Sequence, residues 1–582
     1  MKNIISRIYK IAMIIGILGL FIFVIDLGFN QTVFFQNIIE EIYLGINLVG
    51  LMTILLRAIF NGRGKKLSVI IFNILSLIYL STVLYFNLGS AISEHLPSFL
   101  QNMRGIEFGV ILVFIRELSE QRINYKRTIL NPAQLFVLSF FTIIILGSLL
   151  LMLPRATYEG ISFLDALFTS TSAVCVTGLI VVDTGSYFTE FGQYIILLLI
   201  QIGGLGILTF ASYFSYFFKG GSTFENQLAL SDMTSSKTLG SVFSTIKSIL
   251  LITLIVEGFS ALLIFSTLDS VAFASTYEKY FFSIFHAISA FCNAGFSTLP
   301  NSLYEADFRF NYPLQLIVIL TFVFGGLGFR IVSNSLEYVK HQLLRLFSLG
   351  KMKDGFKPWL LNLTTRVTLI TTFSLTFVGF AFFYIVEYNN TLAEHQGIGK
   401  IVTALFGAAT PRTAGFNSID TSAMYFSTTM VVFLLMWIGA SPASTGGGIK
   451  TSTFAIATLN ILSLAKGKSR IEIFRREVSD LSVRRAFATI SLSLIAIGFG
   501  VMLISIFDSE KDLMSIAFEC FSAYSTVGLS LGITADLSEA SKLVIIGVMF
   551  VGRVTMLSVI IALFNKTKYQ NYRYPTEEIT IN

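Results

Sequence analysis

The chain has 582 residues, 54% hydrophobic and 13% charged, with a mean hydropathy of +0.76. Soluble globular domains carry about a quarter charged residues, so an ordinary soluble protein is excluded and a polytopic membrane protein is expected. The formal charge of +7 balances 41 Lys and Arg against 34 Asp and Glu. Its excess sits in a few loops, which reads as a topology signal and not as a nucleic-acid surface.

Residues 1–130 read as a membrane domain of about four helices. Met1 to Lys10 is basic, and the apolar run from Ile11 to about Gly28 is long enough, and poor enough in small cleavable residues, to be a retained span and not a signal peptide. Further spans are expected near Ile42–Phe60, Leu67–Leu88 and Leu96–Leu118, the last interrupted by Arg104 and Glu107. Arg63 to Lys66 and Arg116 to Arg127 are basic, whereas Glu40, Glu41 and Glu94 mark the intervening loops. The positive-inside rule therefore places the N-terminus in the cytoplasm and returns the chain there before residue 131. Arg104, Arg116, Arg122 and Arg127 do not recur every third residue, which favours a packing or partner-docking domain over a voltage sensor.

From residue 131 onward one short pattern occurs four times: FTSTSAVCVTG ending at Gly178, FHAISAFCNAG at Gly295, FGAATPRTAG at Gly415 and FECFSAYSTVG at Gly528. The glycines lie 117, 120 and 113 residues apart, and each copy sits between two long apolar segments, so this is an internal repeat of helix, pore loop and helix. The repeats are expected at 131–220, 221–350, 351–470 and 471–582. A glycine suits each copy because turning backbone carbonyls toward a common axis needs dihedrals that a Cβ penalises. Four such turns around one axis form a ring of carbonyl dipoles able to replace the water shell of a cation. Cys175, Cys292 and Cys520 all fall inside these loops, which argues against a disulfide framework. The histidines His95, His286, His341 and His395 are scattered without metal-ligand spacing, and no enzyme chemistry is legible.

The inner helices of the first two repeats hold the glycine clusters Gln201 to Gly206 and Phe324 to Phe329, read as close helix contacts beneath the loops because no strand precedes them. Glu257, in the outer helix of the second repeat, is an ionisable group at membrane depth: either functional or satisfied by a neighbouring helix. In the third repeat the inner helix is broken by Gly439, Ala440, Ser441, Pro442, Ala443, Ser444, Thr445, Gly446, Gly447 and Gly448, ahead of Lys450. Proline and three successive glycines cannot sustain a helix there. Irregular backbone at that depth is tolerated where it lines a cavity or is buried by protein, so this segment is expected in the path below the loops, as a gate. In the fourth repeat Arg553 lies mid-helix, where an unpartnered arginine costs about 2.5–3.5 kcal/mol. It is expected either to face the pore or to bond a carboxylate such as Glu519.

These residues together resemble the Trk/Ktr/HKT family of potassium transporters, most closely its bacterial Ktr-type membrane subunits, over roughly residues 131–582. The fold implied is an all-α polytopic membrane protein with four helix–pore loop–helix repeats around one pseudo-fourfold pore, preceded here by about four extra transmembrane helices. The resemblance implies potential-driven K+ uptake through a carbonyl filter made by Val176, Thr177 and Gly178; Asn293, Ala294 and Gly295; Thr413, Ala414 and Gly415; and Thr526, Val527 and Gly528. The family places a gating loop at Gly439–Lys450 with the arginine at Arg553 beside it. A serine in place of the first filter glycine goes with Na+ transport in the family, and Gly178 therefore favours K+. A Na+- or H+-coupled symporter using Glu257 is the alternative, as is a poorly selective K+/Na+ channel.

The tail from Tyr572 to Thr580 resembles the Ktr-type C-terminus. The family further implies a homodimer in the bacterial cytoplasmic membrane, both termini cytoplasmic, on a ring of separate nucleotide-binding regulatory subunits. No nucleotide-binding fold or other cofactor is expected in this chain. The basic stretches 340–357 and 466–485 are expected docking surfaces, and the acids Asp183, Glu190, Asp269, Glu305, Asp307, Glu387, Asp420, Asp508 and Asp536 are expected on the outer side.

Overall fold

A computed structural model of the chain describes residues 2–61, 67–88, 103–120, 132–206, 242–269, 273–347 and 360–563, together with residues 575 and 577. The basic loop Arg63–Lys66, Glu94, Arg122, Arg127, Lys351 to Lys357 and the tail from Lys566 to Arg573 lie outside the described residues.

Long apolar runs satisfy their backbone groups internally, the requirement for crossing hydrocarbon. Four of them, α1 (Lys2–Gly28), α2 (Val33–Asn61), α3 (Leu67–Leu88) and α4 (Met103–Glu120), pack as a bundle in which α1, α2 and α3 each lie against α4. Its core is Tyr43, Leu80, Val83, Ile106 and Val110. A second set of charges, at Arg57, Arg116 and Glu117, is paired inside the bundle. Glu117 accepts from Arg57 at 2.5 Å, Arg116 at 3.1 Å and the Thr53 hydroxyl at 3.0 Å, all four residues being buried. Arg57 also lies 4.3 Å from the Tyr9 ring centroid. Arg155 N–H donates to the Gly28 carbonyl (3.0 Å), joining the bundle to the first repeat.

The repeats follow in order. The first holds α5 (Pro132–Leu151), α6 (Phe163–Cys175) and α7 (Glu190–Leu205). The second holds α8 (Val242–Thr267), α9 (Thr276–Cys292) and α10 (Tyr312–Leu327), bent by 105° into α11 (Phe329–Phe347). The third comprises α12 (Leu363–Val386), α13 (Ile398–Ala409), α14 (Phe426–Trp437) and α15 (Thr451–Ala465). The fourth comprises α16 (Asp480–Phe507), α17 (Leu513–Ser525) and α18 (Glu539–Val554), bent by 88° into α19 (Met556–Leu563). A small antiparallel hairpin, β1 (Glu472–Ile473) and β2 (Arg476–Glu477), joins the third repeat to the fourth. Among the described residues six helices are long and apolar enough to cross a membrane alone, and the count rises to at most eight with each bent pair taken as one span.

The short central helices α6, α9, α13 and α17 are the ones that carry the repeated pattern. Three begin at side-chain caps, with Ser162, Ser275 and Asp512 accepting from the first-turn N–H groups of Asp165, Glu278 and Met514. Each inner helix packs against the central helix of the next repeat: α7 on α9, α10 on α13, α14 on α17, and α18 back on α6. That last contact closes the four repeats into a ring.

Candidate functional site: a glycine ring and the loop beneath it

The central helices end in left-handed residues: Val176 (φ 58°), Asn293 (φ 59°) and Thr526 (φ 51°), with Thr413 (φ 75°) equivalent after α13. Two residues on, Gly178, Gly295, Gly415 and Gly528 again take positive φ, between 69° and 92°. A Cβ there would be strained and would also strike the neighbouring strand. At Gly178 it would meet the Ala294 carbonyl oxygen, at Gly295 that of Ala414, at Gly415 that of Val527, and at Gly528 that of Thr177. Contacts passing from each repeat to the next and returning to the first define a closed four-strand ring. These contacts join Gly178, Gly295, Gly415 and Gly528 to the preceding residues Thr177, Ala294, Ala414 and Val527.

Hydroxyl groups that the sequence reading missed hold the strands. Gly178 N–H and Gly528 N–H donate to Ser172 Oγ and Ser522 Oγ, each at 3.1 Å. Ser289 Oγ and Thr410 Oγ1 instead donate to the carbonyls of Phe296 and Phe416, each at 2.7 Å. The signal was present: a hydroxyl six residues before the glycine, or five in the shorter third copy. His286, buried in α9, contacts the Phe282 carbonyl through Nδ1 and Ser297 Oγ through Nε2, both at 2.9 Å. A carbonyl only accepts, so Nδ1 carries the proton and Nε2 accepts from Ser297. Glu519 accepts from the hydroxyls of Ser530 and, at 3.0 Å, Thr534, and so braces the fourth strand.

Above the ring lies a cavity of about 430 Å³ lined by the four glycines, Asn417 and Asp420. Of the nine acids expected on the outer side, Asp420 alone lines it. Several others have local structural partners. Glu387 is buried and accepts from Tyr425 N–H (2.9 Å), Asp183 accepts from Ser186 N–H (2.7 Å), and Asp508 accepts from Ser538 N–H and Oγ (3.1 and 3.0 Å). The rest of the wall mixes hydroxyl and amide groups such as Ser297, Thr421 and Asn301 with apolar side chains such as Leu179, Phe296 and Ile419.

Below the ring the break between α14 and α15 is pressed upward. A Cβ on Gly446 would fall on the Thr413 hydroxyl and one on Gly447 on the Thr526 hydroxyl, so the glycine run allows the loop to lie against the ring's lower face. Thr445 Oγ1 donates to Asn293 Oδ1 (3.0 Å), whose Nδ2 donates to Thr413 Oγ1 (3.3 Å). Ser441 N–H is bonded to the Gly326 carbonyl (3.0 Å), and Ala443 takes φ 57°. Three cations serve the loop's carbonyls. Lys450 Nζ donates to Gly446 O (2.6 Å), Arg553 donates to Thr445 O and Gly203 O, and Arg412 donates to Gly439 O (3.4 Å). Arg553 thus bonds the loop, whereas Glu519 bonds Ser530 and Thr534. Arg412 was not singled out from the sequence because its partner belongs to a segment 27 residues away.

Glu257 lies behind the ring. Gln201 Nε2 donates to its two carboxylate oxygens at 3.1 and 3.3 Å, and Cys292 Sγ is 4.0 Å from Oε1. The inner-helix glycines match their reading as close contacts. A Cβ at Gly203, Gly325 or Gly552 would strike the carbonyl of Val174, Phe291 or Tyr524 at the end of a central helix.

Crossing helices closed into a fourfold ring of inward-turned strands, with an intramembrane loop under the ring, define a multi-pass membrane protein of the four-repeat pore-loop class. The TrkH family model, described as cation transport protein, matches residues 101–572, and the chain belongs to this family. Similar relatives include Ktr system potassium uptake protein B of Bacillus subtilis, 37% identical over 456 residues, covering 77% of this chain and 96% of the relative. Potassium/sodium uptake protein NtpJ of Enterococcus hirae is 36% identical over 467 residues, covering 78% and 97%. The crystal structure of the potassium transporter TrkH from Vibrio parahaemolyticus shares the fold, with a TM-score of 0.60 at 16% identity over 90% of this chain and 97% of that one. The family match leaves residues 1–100, most of the α1–α4 bundle, outside it.

Proposed function

We propose that the chain carries K+ inward through the glycine ring, driven by the membrane potential at about 2.3 kcal/mol per charge per 100 mV. The observation that carries this reading is the closed ring itself, in which alternate residues of four strands take positive φ and present carbonyls between neighbouring strands. Such dipoles can stand in for the hydration shell of a weakly hydrated cation. The names of the relatives, potassium uptake protein B and potassium/sodium uptake protein NtpJ, support the choice of ion. The loop Gly439–Lys450 is the gate in this reading, closed while Arg553, Arg412 and Lys450 hold its carbonyls against the ring.

The acting form is a homodimer in a bacterial cytoplasmic membrane with both termini cytoplasmic, gated by a separate nucleotide-binding ring that docks on the basic 466–485 hairpin segment. Purified protein in liposomes tests the core of this. Gly178→Ser is expected to lower the K+/Na+ flux ratio, and a deletion within Ala443–Gly448 to raise flux. Equal uptake of both ions by the unmodified protein, or flux unchanged by both variants, would overturn it. A second reading, ion-coupled symport, is favoured by Glu257, a buried carboxylate behind the ring whose described hydrogen-bond donors are Gln201 and Cys292. A reversal potential that moves with pH or Na+ in the wild type, and no longer moves in Glu257→Gln, would establish it.

A further inference from the structure

Helix α11 has no counterpart in the sequence reading, which treated its second half as a basic loop. Val332, Leu336, Val339 and Leu343 recur every three or four residues and so form one apolar stripe along the helix. Ile331 and Val332 are buried at its start, but Leu336, Val339 and Leu343 are 53%, 48% and 48% exposed. The helix sequence sets Arg330, Lys340 and Arg345 against a single acid, Glu337, and Lys340 is exposed. The stripe therefore belongs to a helix of net positive charge on which Arg330 and Lys340 are exposed.

The setting of the helix selects what covers that stripe. Helix α10 is a crossing helix whose far end, at Gly328, lies on the opposite side of the ring from the vestibule. The 105° bend there sets α11 nearly perpendicular to α10, so that with α10 crossing the membrane α11 runs close to the membrane plane. A basic amphipathic helix lying in that plane matches the boundary between hydrocarbon and anionic headgroups. The hinge also touches the intramembrane loop. Gly328 has φ 80°, and a Cβ there would come within 2.8 Å of the Ala443 carbonyl oxygen and 3.0 Å of that of Pro442. Two residues earlier the Gly326 carbonyl accepts from Ser441 N–H.

We propose that α11 is a membrane-surface helix that binds anionic lipid headgroups, and that through the Gly328 hinge this contact biases the conformation of the Gly439–Lys450 loop. The consequence for transport rests on the reading of that loop as the gate. A bilayer rich in anionic lipid holds α11 flat and fixes the hinge against Pro442 and Ala443. Loss of the headgroup contact frees the hinge and, with it, the loop.

The full chain in phosphatidylcholine liposomes, with and without phosphatidylglycerol, provides the test. A fluorophore on Leu343→Cys is expected to be quenched by brominated acyl chains, the three native cysteines being buried. In a Trp359→Phe background Trp437 is the remaining tryptophan, and its carbonyl accepts from Ile449 N–H in the loop (3.2 Å). Its emission is expected to shift, and K+ flux to change several-fold, when phosphatidylglycerol is added. Lys340→Glu combined with Arg345→Glu is expected to abolish both responses with the melting temperature in detergent retained. An unquenched label, or one cross-linked between copies or covered by another protein in place of lipid, overturns the surface helix. Quenching with lipid-independent Trp437 emission overturns the coupling. Absence of K+ flux in every lipid retires the potassium reading instead, because quenching and emission do not depend on the ion.

Discussion

A ring glycine in this fold must satisfy two constraints at once, backbone dihedral and neighbour distance, and glycine alone satisfies both. The serines behind the ring carry a different load. Ser522 accepts from Gly528 N–H in a buried setting, so Ser522→Ala leaves that donor without its partner. The expected loss is about 1–3 kcal/mol, concentrated on the fourth strand. It is read as a lower melting temperature together with a fall in the K+/Na+ flux ratio, whereas a merely structural serine would move only the first. At the outer end of α16, Asp508 titrates below its ordinary value of 3.8. Partial burial alone would raise it, but the hydrogen bonds from Ser541 and Ser538 outweigh that effect. The folded-state pKa is therefore depressed, and the tie from α16 to α18 contributes stability that is complete above the ordinary value. That contribution is lost as pH falls through the lowered one. Melting temperatures measured from neutral to acid pH should show an acid-side decline that is shallower in Ser538→Ala.

At the scale of the element, the broken third inner helix is held by partners from several repeats. The Gly326 carbonyl of the second accepts from its Ser441 N–H, Arg412 reaches it from the third, and Arg553 of the fourth ties it to the Gly203 carbonyl of the first. Arg412 differs from Arg553 in holding the loop's first residue while also bonding Thr372 O and Thr376 Oγ1, each at 3.2 Å, on the outer helix. Arg412→Gln should free the start of the loop without altering the ring. Basal flux in liposomes is expected to rise with an unchanged K+/Na+ ratio, and a variant with altered selectivity but wild-type basal flux would contradict this role.

For the whole molecule, the ring and the N-terminal bundle are separate cores joined near Gly28 and Arg155. The bundle depends on one carboxylate, since Glu117 serves two buried arginines. Glu117→Gln removes the carboxylate charge that Arg57 and Arg116 share, a change expected to cost about 3–5 kcal/mol. Limited proteolysis should then open residues 1–130 first, with the fourfold ring still resistant. Uniform cleavage of both regions would mean that the two cores fold as one. The ring has its own closing contact, Lys542 Nζ to Asp165 Oδ1 at 2.8 Å, which spans the first and fourth repeats.

The sequence by itself determined the membrane class, the fourfold repeat, the four ring glycines and the break at Gly439–Lys450, because each leaves a local mark: apolar length, fixed spacing, or glycine where a Cβ is excluded. It also exposed Arg553 through the cost of a buried charge. The tertiary structure decided what touches what. The order of strands around the ring, Arg412 on the Gly439 carbonyl, the Arg57–Glu117–Arg116 cluster and the hinge of α11 against the loop join residues far apart in sequence, and neither periodicity nor propensity records such pairings. Helix α11 was missed for a related reason: its apolar stripe is unmistakable as a pattern, but its orientation depends on a 105° turn at Gly328 that only the packed loop beside it explains.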